Sequence, residues 1–184
     1  MKQFAVFLLV ALLAGCAGQW THIAQPEQQR VATARYDLTL PLGWVKIVQN
    51  DVLTVSRDGP DLQRIRVRAV PLEKAFPTIE QKAAAEMLPS DLGARFIAEL
   101  RAGDQDRLPS LKIEEEGPAT LDGHEGFRVL ANYRNADGIR FRLLAYGVAT
   151  DKGYLELVYV APAIHYFERS LDDFERLRAS LRLH

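Results

Sequence analysis

"FRVLANYRNADGIRFRLLAYGVATDKGYLELVYV", residues 127–160, decides the fold. Within it, Asn135-Ala136-Asp137-Gly138 places asparagine first, aspartate third and glycine last, the chemistry of a type I turn closed by a G1 bulge. In that register Asn135 pairs with Ile139, so Tyr133 faces Phe141, Ala131 faces Leu143 and Val129 faces Ala145. The other side collects Arg128, Asn132, Arg134, Arg140 and Arg142, together with Leu130, Leu144 and Tyr146. A slip of one residue would mix the two sets, and burial of the apolar one opposes it. Thr150-Asp151-Lys152-Gly153 reads as the same device, pairing Ala149 with Leu155, Gly147 with Leu157 and Ala145 with Tyr159. The stretch is therefore expected to be a meander of three antiparallel strands.

Upstream, residues 36–41, 43–49 and 51–59 read as short strands separated by turn residues. Residues 62–70 alternate cleanly, with Ile65, Val67 and Ala69 on one face and Arg64, Arg66 and Arg68 on the other. Thr78 and Gln81 form a capping-box pattern that predicts a helix stopped by Pro89. Ser90 then caps a second helix with Leu92, Phe96, Ile97 and Leu100 on one side and Gly103 at its close. Residues 111–123 read as a partly exposed strand and a turn. Ser170 and Asp173 predict the start of a last helix, with Phe174, Leu177 and Leu181 as its buried stripe. Strands, helices, strands and a helix in that order predict an α+β domain, an antiparallel sheet of about six to seven strands with helices packed on it.

At the other end, Lys2 precedes an apolar run from Phe4 to Ala14 and then Gly15-Cys16, the only cysteine of the 184 residues. A charged start, a short apolar core and small residues before a cut make a secretory signal. The run is shorter than the ~20 residues a permanent bilayer helix needs. Leu13-Ala14-Gly15-Cys16 resembles the lipobox of bacterial lipoproteins. That resemblance implies a diacylglyceryl group on the Cys16 sulfur, cleavage before it and acylation of the new amino terminus. Several acyl chains hold firmly where one anchors only marginally. Residues 1–15 are then a signal peptide, and the mature chain has no free thiol, disulfide or cysteine metal ligand. Ala17 stands where aspartate retains lipoproteins in the inner membrane of enteric-type bacteria, so the periplasmic face of the outer membrane is the expected address. Residues 16–34, rich in glutamine and alanine, read as a lipidated start and flexible tether spanning at most about 60 Å. One domain over 35–184 follows.

The middle of the chain also resembles a family. "LTLPLGWVKI" (38–47), "LTVSRDG" (53–59), the arginine-alternating strand, "LDGHEGFRV" (121–129) and the terminal "FERLRASL" (174–181) are similar to the PsbP-like fold group. That group includes many small bacterial lipoproteins. The resemblance implies a PsbP-like sandwich and an accessory, assembly or binding role without catalysis, and it assigns no functional residues.

The side chains themselves point to little chemistry. A formal net charge of −1 gives no field for nucleic acid. His22, His124, His165 and His184 lack metal-site spacing: "HEGFR" (124–128) has no second histidine four residues on. No glycine-x-serine-x-glycine elbow, Walker sequence or G-x-G-x-x-G occurs, so no cofactor is expected. A small envelope hydrolase would need His124 or His165 beside an aspartate or serine. Arginine supplies 17 of the 23 basic residues. Seven lie on strands with a readable facing: Arg64, Arg66, Arg68, Arg128, Arg134, Arg140 and Arg142. If those strands are neighbours, the seven share one face. They then form an anion-recognising surface for lipid phosphate, a glycan carboxylate or an acidic envelope partner. Alternatively they are structural, paired with Glu156 and other acids or draped over a covering helix.

Overall fold

The computed structural model describes residues 19–103, 108 and 110–184. Its elements in chain order are β1 (Thr21–His22), β2 (Arg30–Ala32), β3 (Tyr36–Thr39), β4 (Val45–Gln49), β5 (Val52–Ser56), β6 (Arg64–Val70) and α1 (Pro89–Gly103). There follow β7 (Lys112–Leu121), β8 (His124–Arg134), β9 (Arg140–Thr150), β10 (Gly153–Pro162), α2 (Tyr166–Ser180) and β11 (Arg182–Leu183). Eight strands form one antiparallel sheet in the order β1-β4-β5-β6-β10-β9-β8-β7, and β11-β3-β2 form a second, small one. The architecture is α+β, as expected, with more strands than the six to seven anticipated.

The first hairpin forms as its turn chemistry dictates. Asn135 and Ile139 close it through Asn135 N–H to Ile139 O at 3.0 Å, and Gly138 takes φ +76°, which a side chain would strain. Tyr133 faces Phe141, Ala131 faces Leu143 and Val129 faces Ala145. The second hairpin corrects its expected register by one residue. Thr150 pairs with Gly153 across Asp151-Lys152, so Ala149 faces Tyr154 rather than Leu155, and Gly147 faces Glu156 rather than Leu157. Gly153, at φ +144°, opens β10 instead of supplying a left-handed bulge. Hydrophobicity could not choose between these registers, because β10 buries residues on both sides: Tyr154 and Val160 on one, Leu155, Leu157 and Tyr159 on the other.

That register carries the faces across the sheet. Val129, Ala145, Val158, Arg66 and Thr54 lie opposite one another from strand to strand, as do Leu130, Leu144, Tyr159, Ile65 and Val55 on the reverse. The first face packs under α1, whose Leu92, Phe96 and Ile97 are buried as their spacing predicts. The second face packs under α2 and the small sheet. There Phe167 and Phe174 lie 5.0 and 5.3 Å from the Tyr159 ring, and buried Trp44 donates from Nε1 to Asp173 Oδ2 of α2 at 3.1 Å.

Three further expectations are corrected. Residues 78–88 form no helix: Phe76 bridges to Gln81, and Thr78 donates from its backbone and hydroxyl to Glu99 of α1 instead of capping its own turn. Burial of Ala75, Phe76 and Ala83 against the first face holds this segment as a lining loop. α2 begins at Tyr166, after a tight turn at His165 (φ +70°), and Ser170 sits fully buried inside it. The tether expected over 16–34 ends where β1 begins. Ile23 is fully buried and exchanges backbone hydrogen bonds with the Gly43–Trp44 corner, while Val31 packs on the core through β2. An apolar residue within a glutamine-rich stretch carries no periodicity, so the sequence pattern hides this pairing. Residues 1–15 and Cys16 lie outside the described residues. No helix among the described residues is long and apolar enough to cross a membrane.

Candidate functional site

The seven arginines do not share a face. Arg64, Arg66 and Arg68 pair with Val160, Val158 and Glu156 of β10, which puts them on the α1 side of the sheet. Arg128, Arg134, Arg140 and Arg142 stand on the α2 side, level with Tyr146, Leu130 and Leu144. The one-residue shorter second turn accounts for this, since it reverses β10 and β6 relative to β8 and β9.

Most of the seven are tied to the fold. Arg68 is largely buried, donates to Glu156 Oε1 at 2.9 Å and to the Lys74 and Ala75 carbonyls, and lies over the Tyr154 ring. Arg128 donates to Glu115 at 2.7 Å. Arg142 bridges Glu168 of α2 at 2.8 Å and Glu114 of β7 at 3.2 Å, with its guanidinium 4.7 Å from the Phe167 ring centre. Arg134 closes its own turn on the Gly138 carbonyl, and Arg64 reaches the Pro60 carbonyl. Arg66 and Arg140, on opposite faces, have no hydrogen bond or ion pair among the described residues.

Arg66 stands in a groove of about 630 Å³ on the α1 side. α1 packs over β7, β8 and β9, which leaves the β6–β10 part of that face open beside the C-terminal end of the helix. Phe96 and Leu100 of α1 form one wall; Phe141, Leu143, Val158 and Val160 of β9 and β10 form the floor. Arg64 and Arg66 line the far side. Two of the lining acids are occupied, Glu156 by Arg68 and the Tyr154 hydroxyl and Glu99 by the Thr78 and Ile79 amides, while Asp61 also lines the groove. Burial pushes the Arg66 guanidinium below its usual value, Glu156 pulls it up, and the charges of Arg64 and Arg68 push it down again. A cation so placed gains from an added anion. A concavity with an apolar floor and charged groups at its rim has the character of a binding site. Sequence reasoning found its arginines but not its floor, because only the register of β10 places Val158 and Val160 beside them.

The histidines assemble no catalytic constellation among the described residues. His124 and His165 are exposed without a hydrogen bond to serine or aspartate, and no group of three or more metal-binding side chains converges. Asp122, beside His124 in sequence, instead accepts the Leu183 amide at 2.7 Å and so docks β11. His184 contacts Asp37 at 3.0 Å, and together with Arg30 it holds that carboxyl below its ordinary range.

No protein-family model matches the chain, and no curated protein matches it in sequence. Its fold does match solved structures. Cyanobacterial PsbP from Synechocystis sp. PCC 6803 superposes with a TM-score of 0.59 at 11% identity, over 94% of this chain and 96% of that one. The fold is PsbP-like. LpqN of Mycobacterium tuberculosis, described as involved in cell envelope biogenesis, gives 0.50 at 13% identity over 92% and 87%. The Saccharomyces cerevisiae Ran-binding protein Mog1p gives 0.51 at 8% identity over 91% and 96%. The shared feature is the overall fold.

Proposed function

We propose that this protein is a lipid-anchored component of the bacterial cell envelope that binds or supports other envelope components without catalysis. Its anchor is Cys16, acylated after removal of residues 1–15, and Ala17 directs it to the periplasmic face of the outer membrane. The binding half of this reading rests on one observation, the guanidinium of Arg66 without a hydrogen bond or ion pair among the described residues, beside a groove with an apolar floor. A ligand carrying a phosphate or carboxylate next to an apolar body meets both features: the anion answers Arg66, and the body covers Phe96, Phe141 and Val158. Arg140 faces solvent on the other side of the sheet and has no such wall, so it serves as the comparison.

The test uses the Cys16→Ser domain and lysophosphatidylglycerol below its critical micelle concentration. Binding should weaken at least tenfold in Arg66→Glu and stay unchanged in Arg140→Glu. Equal binding by wild type and Arg66→Glu removes the groove from the function. For the anchor, Cys16→Ser should abolish fatty-acid labelling and release the protein from membranes; a Cys16→Ser protein that still takes up label refutes lipidation at this residue.

A further inference from the structure

The chain is locked into the fold from Thr21, five residues after Cys16. Fully extended, five residues reach about 17 Å, where a tether of eighteen would have reached about 60 Å. The edge of the sheet that begins at Thr21 therefore stays within that short radius of the acylated sulfur. β1 pairs with β4 through Thr21–Lys46 and His22–Val45, and one more step of that register would bring Trp20 level with Ile47, so that Trp20 and Val48 flank the same outer edge from opposite faces of the sheet. Both side chains are exposed, Trp20 by 38% and Val48 by 64%. Around them, Lys46 is held on the Gln28 carbonyl, and the β4–β5 turn carries the polar Gln49 and Asn50 and one exposed carboxylate, Asp51.

We infer that the β1–β4 edge rests on the bilayer that holds the Cys16 lipid, with Trp20 and Val48 seated among its headgroups. The inference builds on the lipid anchor proposed above. Tryptophan favours this interfacial depth, having an apolar body and one donor for the wet side. Valine so exposed gains by leaving water. The domain then lies against the membrane by one defined edge instead of swinging freely. The groove lies on the α1 side of the sheet, and Asp61, Asn135 and Ala136 line it at the end opposite the β4–β5 turn.

The two tryptophans supply the probe. Trp44 is fully buried against α2, whereas Trp20 is on the surface in question. The full-length lipidated protein is reconstituted into phosphatidylethanolamine–phosphatidylglycerol vesicles containing brominated lipid. Trp20 emission, isolated in Trp44→Phe or taken as the difference between wild type and Trp20→Phe, should be quenched at least twofold. Trp44 emission in Trp20→Phe should barely change. Val48→Glu should reduce the Trp20 quenching at least twofold while flotation with the vesicles persists. The inference is overturned if the protein carries its lipid by mass spectrometry, floats with the vesicles and shows no quenching of Trp20, or if Val48→Glu leaves the quenching intact. If the protein carries no lipid and does not float, the anchor itself fails and this inference goes with it.

Discussion

The two faces of the eight-stranded sheet are filled by different means. On the α2 side a helix and a second sheet cover the core, and Arg128 and Arg142 act at its rim as ion-pair clamps to β7 and α2. On the α1 side one helix and a lining loop cover only part of the surface. There Arg68 is drawn into the interior while Arg66, two residues away, is left beside an open groove. A residue type thus carries no role by itself. The same guanidinium serves as strut, clamp or binding group according to how much of the sheet above it is covered, because coverage sets both its desolvation and the partners within reach.

Changes on the α1 side should separate these roles, the largest effect coming from its packing. Phe127 lies 4.9 Å from the Phe96 ring of α1 and fills the space left by Gly147, where a Cβ would come within 2.3 Å of its ring. Phe127→Ala should cost about 3–5 kcal/mol in urea denaturation. A loss below about 1 kcal/mol would mean that α1 is not held through this ring.

Next comes the pair of neighbouring arginines. Arg68→Met should cost about 3 kcal/mol, since it strands the largely buried carboxylate of Glu156 and two carbonyls. Arg66→Met should leave stability within about 0.5 kcal/mol of wild type, because the guanidinium has no hydrogen bond or ion pair among the described residues. Equal losses at the two positions would erase the distinction between strut and binding group.

At neutral pH the smallest effect comes from the tyrosines of the α2 side. Burial raises the Tyr36 and Tyr159 phenols to about 12; at Tyr159 contacts with Gln63 and Ser170 offset part of the rise. The folded state thus holds its phenolic protons more tightly than the unfolded chain, whose value is near 10. Their contribution is complete below pH 10 and is lost as pH climbs through 12. Melting temperature followed by circular dichroism should therefore fall between pH 10 and 12. Tyr159→Phe should flatten part of that fall, and an unchanged profile would place the alkaline loss elsewhere.

Legibility in the sequence followed how strongly each local signal was tied to one geometry. Asn135 to Gly138 specify a turn whose glycine must take φ +76°, so the first hairpin was readable to the residue. α1 was readable from Leu92, Phe96 and Ile97 at helical spacing. Thr78 and Gln81 offered a capping pattern that Glu99, distant in sequence, outcompeted for the same donors. Ile23, alone among polar residues, gave no hint that the supposed tether enters the core. The groove was the least legible feature, because its arginines and its apolar floor come from β6, β9 and β10 and meet only through pairing.

By itself, then, the sequence determined the α+β class, the alternation within each strand and the turn between β8 and β9. These depend on side chains a few residues apart, and the backbone periods of 2 and 3.6 translate them directly. Tertiary structure alone decided which faces coincide, which arginine lacks an ion pair among the described residues and that the chain has joined the sheet by Thr21. β10 buries apolar residues on both sides, so hydrophobic patterning alone does not fix its register.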